Sequence, residues 1–256
     1  MKFLKLFTAT LFAFVSLMPG PALADQGGGP TLKATPQERA KIETVLVDYL
    51  EKHPEVVVKA IQEWQRQRQV AEMLPKINMY RDYLEKDPAA PVLGNPDGDV
   101  TIVEFYDYRC SFCRRHFPEV MKLVKADGNI RLLPKQFPVL DRQGEAPVSR
   151  IAARAALAAQ KQGKFADYHI AVMTSPGSLT EARVYEIAAS VGLDVERLKE
   201  DMGSKILDKS ITNSLAVGSD IGFSGTPGYI IGNDVILGAE GYNRLMEAVN
   251  RARKAK

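Results

Sequence analysis

The chain has 256 residues, of which 45% are hydrophobic and 25% charged, with a formal charge of +3. That length supports one domain of ordinary size plus an appendage. The near-balanced charge excludes the concentrated basic face a nucleic-acid binder needs, and setting aside Lys2 and Lys5 lowers the balance to +1.

Residues 1–24 have the layout of a secretory signal. Lys2 and Lys5 supply a positive end, residues 6–18 a short apolar run, and Pro19-Gly20-Pro21 a break before the small-x-small site Ala22-Leu23-Ala24. The run is short for a membrane span. Cleavage after Ala24 is therefore expected, with the mature chain working outside the cytoplasm; an uncleaved anchor is the alternative. Gly27-Gly28-Gly29-Pro30 then reads as a flexible leader.

Thr35-Pro36-Gln37-Glu38 is a helix start, with a capping threonine, proline at the first helical position and a glutamate able to reach back. Ile42, Val45, Leu46, Tyr49 and Leu50 follow on one face. His53-Pro54 interrupts, and Val57, Ile61 and Trp64 stripe a second helix whose basic run near residue 66 reads as a solvated face. Pro75 predicts a kink or split, after which Ile77, Tyr80, Tyr83 and Leu84 continue to Asp87-Pro88. So short a helical stalk is marginal alone in water. It folds back on its own domain or pairs with copies of itself. Self-association is the preferred reading, since the region is long, charged outside and bounded by turns.

Residues 87–99, rich in Pro, Gly, Asn and Asp, form a boundary loop. Residues 101–106 read as a buried strand. A helix start follows, carrying Cys110-Ser111-Phe112-Cys113, the only two cysteines of the chain. Residues 130–137 are a second strand, giving a β-α-β unit with parallel strands. Helices are predicted at 149–162, 164–174, 180–192, from Asp194, and at 204–221. The chain then returns to strands at 229–231 and 235–237, joined by a Gly232-Asn233-Asp234 turn, and closes with an amphipathic helix from Gly241.

Two thiols spaced C-x-x-C at the first turn of a helix after a strand suit redox chemistry. A structural bridge closing so small a loop removes little chain entropy. A zinc site needs four ligands, and His53, His116 and His169 are scattered. Of the bridge, the metal site and the redox dithiol, the sequence favours the redox dithiol.

The order β-α-β, helical insert, β-β-α, with C-x-x-C at the first helix and Gly225-Thr226-Pro227 before the hairpin, resembles the DsbA-like thiol–disulfide oxidoreductases. It is most similar to the periplasmic branch with an N-terminal helical extension, the suppressor-of-copper-sensitivity C and Com1-type proteins. The resemblance implies an α/β thioredoxin fold at 91–256, with a helical insertion at about 139–222, preceded by an oligomerisation segment at 25–90. It implies Cys110 as exposed nucleophile, Cys113 as resolving cysteine, Thr226 and cis-Pro227 as substrate-binding residues, and Glu104 as the buried acid beneath the site. Ser111-Phe112 lacks the proline and histidine of the strongly oxidising members. The implied partners are cysteine-containing secreted proteins, a membrane redox partner and further copies of the chain, with a trimer favoured; no cofactor or metal is expected.

A depressed pKa is expected for Cys110, with none for Cys113. The free N–H groups at the helix N-terminus favour the thiolate, with Arg109, Arg114 and His116 as candidate sources of positive potential. Glu104 either relays the Cys113 proton or pairs structurally with Lys135, and Tyr229 is expected in the core rather than in contact with substrate. Thr226 before the proline and the stalk favour an isomerase or reductase over a primary dithiol oxidase. A protein of another class, holding copper(I) on the two thiols with Met73, Met79 or a neighbouring subunit, is the alternative.

Overall fold

The computed structural model describes residues 34–255, so the expected signal segment and leader lie outside the described residues. The chain divides into two compact units, one ending at Val57 and the other beginning at Val58. In the first, α1 (Pro36–Lys52) opens on the expected capping box. Glu38 N–H donates to Thr35 Oγ1 at 3.3 Å, and Thr35 N–H donates to the Glu38 carboxylate at 2.8 Å. This helix buries none of its side chains; Ile42, Val45, Leu46 and Tyr49 are all exposed.

His53 separates α1 from α2 (Pro54–Met79). Of the kink or split expected at Pro75, the split does not occur: the helix continues through it. After α3 (Arg81–Glu85) the chain forms β1 (Leu93–Gly94), β2 (Val100–Tyr106), α4 (Ser111–Asp127) and β3 (Ile130–Gln136). Helices α5 (Val148–Lys161), α6 (Phe165–Thr174), α7 (Glu181–Ser190), α8 (Val195–Met202) and α9 (Lys205–Ile221) form the insertion. Then come β4 (Gly228–Ile231), β5 (Asp234–Leu237) and α10 (Tyr242–Lys254). Three insertion helices begin where side-chain caps predict: Thr180, Asp194 and Ser204 accept from the N–H groups of Arg183, Arg197 and Ile206.

The sheet order is β1-β3-β2-β4-β5. Strands β2 and β3 are parallel, as the β-α-β reading requires, and β4 runs antiparallel to both β2 and β5. Side chains alternate along β2. Ile102 and Tyr106 enter a core with Cys113, Phe117 and Val120 of α4 and with the Ala-rich face of α5. Val103 and Phe105 enter a second core with Leu133, Phe137, Ile221 and Phe223.

Met73, Ile77 and Leu84 are buried in that second core. At about 1.5–3 kcal/mol per fully buried side chain, they anchor the end of α2 and α3 to the sheet. Sequence reading groups residues 25–90 as one extension. The packing instead joins residues from Met73 onward to the same core as the strands.

Candidate active site

Asp107 shapes the turn between β2 and α4. Its Oδ1 accepts from Arg109 N–H at 2.8 Å and its Oδ2 from Leu140 N–H at 3.0 Å, while its carbonyl accepts from Cys110 N–H at 3.0 Å. One carboxylate thus holds both the approach to the dithiol and the loop after β3. Burial raises its pKa. Sequence reading passed over Asp107; its position just before a helix cap was the available signal.

Cys110 is the N-cap of α4, and its sulfur accepts from Cys113 N–H at 3.4 Å. Both cysteines are free thiols and both are buried, so Cys110 is not the exposed sulfur that the resemblance implies; 6% of its surface stays accessible, against none of Cys113. The Cys110 pKa is lowered to about 5. The Cys113 thiol is the largest cause; burial opposes it, while the Cys113 and Phe112 N–H groups help. The two N–H groups are charge-favouring donors of the kind a helix N-terminus offers. Burial drives the Cys113 thiol far upward, reinforced by the neighbouring Cys110 sulfur and the Glu104 charge. Two adjacent thiols are therefore split into one that is readily ionised and one held protonated.

The Thr226–Pro227 peptide bond is cis, and the Cys110 thiol donates to the Thr226 carbonyl at 3.3 Å. Thr226 Oγ1 is buried, with no hydrogen-bond partner of normal geometry. A cavity of about 280 Å³ opens beside this turn, lined by Gln69, Phe223, Thr226, Pro227 and Leu237 among others. Ser111 and Phe112 begin the helix exposed, and the Phe112 ring lies 4.7 Å below the Arg115 guanidinium.

Glu104 is fully buried, and its pKa is raised by burial to about 7, against the lowering effect of a hydrogen bond from Tyr229. It does not pair with Lys135. In the parallel register Lys135 lies beside Phe105, on the face opposite Glu104. Lys135 reaches the Tyr83 carbonyl at 3.1 Å and Asp87 at 3.8 Å. Tyr229 is core, as expected, but also a link: its hydroxyl contacts Glu104 Oε1 at 3.0 Å and His116 Nδ1 at 2.8 Å.

His116 does not supply the positive potential considered for it. It is buried and its pKa is lowered by burial, which keeps the ring neutral near neutral pH. Arg109 and Arg114 are tied to loops. Arg109 bonds the Leu140 carbonyl and Asp141, each at 3.3 Å, and Arg114 bonds the carbonyls of Gly177 and Ser175. Met73 is buried in the core on the far side of the sheet from the dithiol cluster, and Met79 is exposed. Among the described residues, no group of three or more His, Cys, Asp or Glu is placed to hold a metal.

A strand, a C-x-x-C helix cap and a cis-proline turn brought against the same sulfur define a thioredoxin-type dithiol site. A family model described as Thioredoxin matches residues 86–251, and the chain belongs to that family. It is similar to a thioredoxin-like oxidoreductase from Silicibacter pomeroyi DSS-3, with 46% identity and a TM-score of 0.65 over 69% of this chain and 99% of that one. It is also similar to the thiol-disulfide exchange protein alpha-DsbA2 from Wolbachia pipientis, with 28% identity and a TM-score of 0.64 over 72% and 97%. A Proteus mirabilis ScsC variant, 23% identical, shares the fold with a TM-score of 0.65 over 88% of this chain and 100% of that one.

Among curated proteins, the chain is 30% identical over 162 residues to Na(+)/H(+) antiporter NhaA 1 of Salinispora arenicola, covering 63% of this chain and 24% of that protein. It is 25% identical over 178 residues to disulfide bond formation protein D of Bacillus subtilis, covering 65% of this chain and 78% of that protein. The chain spans about a quarter of the length of the antiporter relatives it matches first.

Proposed function

We propose that the chain catalyses thiol–disulfide exchange on cysteine-containing secreted proteins in the periplasm, with Cys110 as nucleophile and Cys113 as resolving cysteine. The observation that carries this reading is the contrast between the two thiols: Cys110 lowered to about 5, Cys113 buried and raised. At neutral pH Cys110 is the thiolate that attacks and Cys113 is held in reserve.

Acting on a wrong disulfide, the Cys110 thiolate attacks one sulfur. A Cys110–substrate disulfide forms, and the other substrate sulfur leaves as thiolate. In isomerisation, a substrate thiolate then attacks the mixed disulfide and Cys110 is released unchanged. In reduction, Cys113 gives its proton to Glu104 and attacks the Cys110 sulfur; substrate thiolate leaves and the Cys110–Cys113 disulfide remains. A membrane redox partner must then return two electrons to the dithiol. Thr226 and the turn before Pro227 bind the substrate backbone as an added strand. Ser111 and Phe112 present N–H groups and an apolar contact beside the sulfur.

The reading leans to isomerase or reductase, as threonine before the proline suggests by resemblance. Exposed apolar residues also support it: Leu46 and Tyr49 in the first unit, Ile61 and Trp64 in the second. Pairing with further copies of the chain would cover them, and several sites facing one substrate suit isomerisation. One observation favours the oxidase instead. A thiolate stabilised to a pKa of about 5 stabilises the reduced form, which makes the disulfide more oxidising. The sequence of residues 1–24 supports the periplasmic setting, and no helix among the described residues is long and apolar enough to cross a membrane.

Refolding of a scrambled multi-disulfide protein tests the reading. Full-length chain should restore activity to that substrate and a Cys110→Ala variant should not; equal recovery with both would overturn catalysis. Solution mass with and without residues 25–57 tests self-association, and a monomer in both cases would remove it. The redox state of the dithiol in cells decides direction: mostly reduced supports isomerase or reductase, mostly oxidised supports oxidase.

A further inference from the structure

A chain of hydrogen bonds beneath the dithiol has one consistent direction. Gly241 N–H donates to His116 Nε2 at 3.0 Å. A backbone amide can only donate, so Nε2 carries no proton and the neutral ring is protonated at Nδ1. Nδ1–H therefore donates to the Tyr229 hydroxyl oxygen at 2.8 Å. With that oxygen occupied as acceptor, Tyr229 directs its own proton to Glu104 Oε1 at 3.0 Å. The other carboxyl oxygen, Oε2, is buried with no hydrogen-bond partner. The chain begins at the N-cap of α10, crosses α4 and β4, and ends on β2.

We infer that His116 and Tyr229 are positioning residues that keep Glu104 Oε1 occupied and reserve Oε2 for the proton Cys113 sheds when it resolves a mixed disulfide. The inference rests on the exchange activity proposed above and assigns it two further residues. The net step moves one proton from Cys113 Sγ to Glu104 Oε2, two groups that interact electrostatically with no direct hydrogen bond between them at rest. The sulfur becomes a thiolate and the carboxylate becomes a carboxylic acid, while the protons on Tyr229 and His116 Nδ1 stay in place. The Cys113 thiolate then attacks the Cys110 sulfur, and substrate thiolate leaves.

The groups around this chain leave it one basic end. Glu104 is faced by Tyr229 of β4, Tyr106 of its own strand, Tyr108 of the following turn, and Cys113. The three tyrosines are raised by burial and stay protonated. His116 is faced by Glu119, at 3.9 Å from Nε2, and by Glu240. Near pH 7 Glu104 is the member that exchanges a proton with Cys113, and the hydroxyl from Tyr229 decides how readily the carboxylate persists there.

The test loads Cys110 with thionitrobenzoate as a mixed disulfide and follows release of the chromophore against pH. In the full chain, release should rise with pH around a midpoint set by Glu104, near 7. Losing one hydrogen bond to a charged group amounts to roughly tenfold. Tyr229→Phe should therefore slow release about tenfold at neutral pH and raise the midpoint by about one unit. His116→Leu should move the midpoint the same way and add little in the Tyr229→Phe background, while His116→Asn, which keeps a donor and an acceptor, should restore most of the rate. A wild-type profile in both Tyr229→Phe and His116→Leu, or additive effects in the double variant, would overturn the inference alone. Release that persists unchanged in Cys113→Ser would overturn the resolving role given to Cys113 in the proposed function, and this inference with it.

Discussion

Glu104 and Lys135 lie on adjacent strands yet point to opposite faces of the sheet. Strand β2 carries Glu104 into the core beneath α4, while β3 turns Lys135 toward Tyr83 and Asp87. Among the described residues no cation pairs with the buried acid, and its raised pKa follows from burial that one tyrosine hydrogen bond only partly offsets.

Glu104→Gln should separate stability from rate. An acid whose folded pKa exceeds its unfolded value makes stability fall as pH rises between the two, here from about 4.5 to about 7. Above that window the glutamine variant should be more stable than wild type, by about 1–3 kcal/mol once the cost of its unpaired amide is included. Below about pH 4 the advantage should vanish. Resolution of a mixed disulfide should slow in the same variant. Denaturant melts across pH measure the first effect and chromophore release the second.

Cys110 should titrate with a midpoint near 5 in the reduced protein, read from thiolate absorbance in the ultraviolet and absent in Cys110→Ser. The linked stability has the opposite sign to that of Glu104. With the folded pKa below the unfolded one, reduced protein gains stability as pH rises from about 5 to about 9 and loses it as pH falls through the folded value. The oxidised protein, which has no thiolate, should show no such slope from this residue.

Asp107→Ala should disturb the dithiol without touching it. The change removes the acceptor for the N–H groups of Arg109 and Leu140. Hydrogen bonds to a charged group are worth about 1.5–3 kcal/mol, and less where, as here, the donors are partly exposed to water. The expected outcome is a lower melting temperature together with a Cys110 midpoint displaced from that of wild type. A change in melting alone would confine Asp107 to stability.

Gly218→Ala provides the contrasting control. A Cβ there would meet Phe137 at 2.6 Å and Phe105 at 3.0 Å, in the core on the far face of the sheet. Overpacking of this kind costs about 1–3 kcal/mol. Melting temperature should fall while the Cys110 titration midpoint stays in place.

Local chemistry made much of the fold legible. The run at 100–106, the cysteine cap and the later caps at Thr180, Asp194 and Ser204 announce their elements because the signals lie within a few residues of one another. Strand β1 lies within what reads as a boundary loop, because two residues carry no period. Pro75 signals a break, but the helix passes through it while Met73 and Ile77 on either side are buried against the sheet. Within the site, the two cysteines and Thr226-Pro227 are visible as motifs. The partnership of His116 with Tyr229 spans 113 positions, and no local pattern joins them. The opposed faces of Glu104 and Lys135 follow from the register of two strands, which neither strand shows by itself.

The arginines beside the dithiol also bear on how such a protein can diversify. Arg109 fastens the loop at Leu140 and Asp141, and Arg114 fastens the loop at Ser175 and Gly177. Both loops belong to the inserted region, yet each is moored to a residue within four positions of Cys110. Substitutions in these loops can remodel the rim that an incoming polypeptide meets while the sulfur chemistry is inherited intact. Transplanting the four-residue motif alone into another scaffold would leave that rim behind.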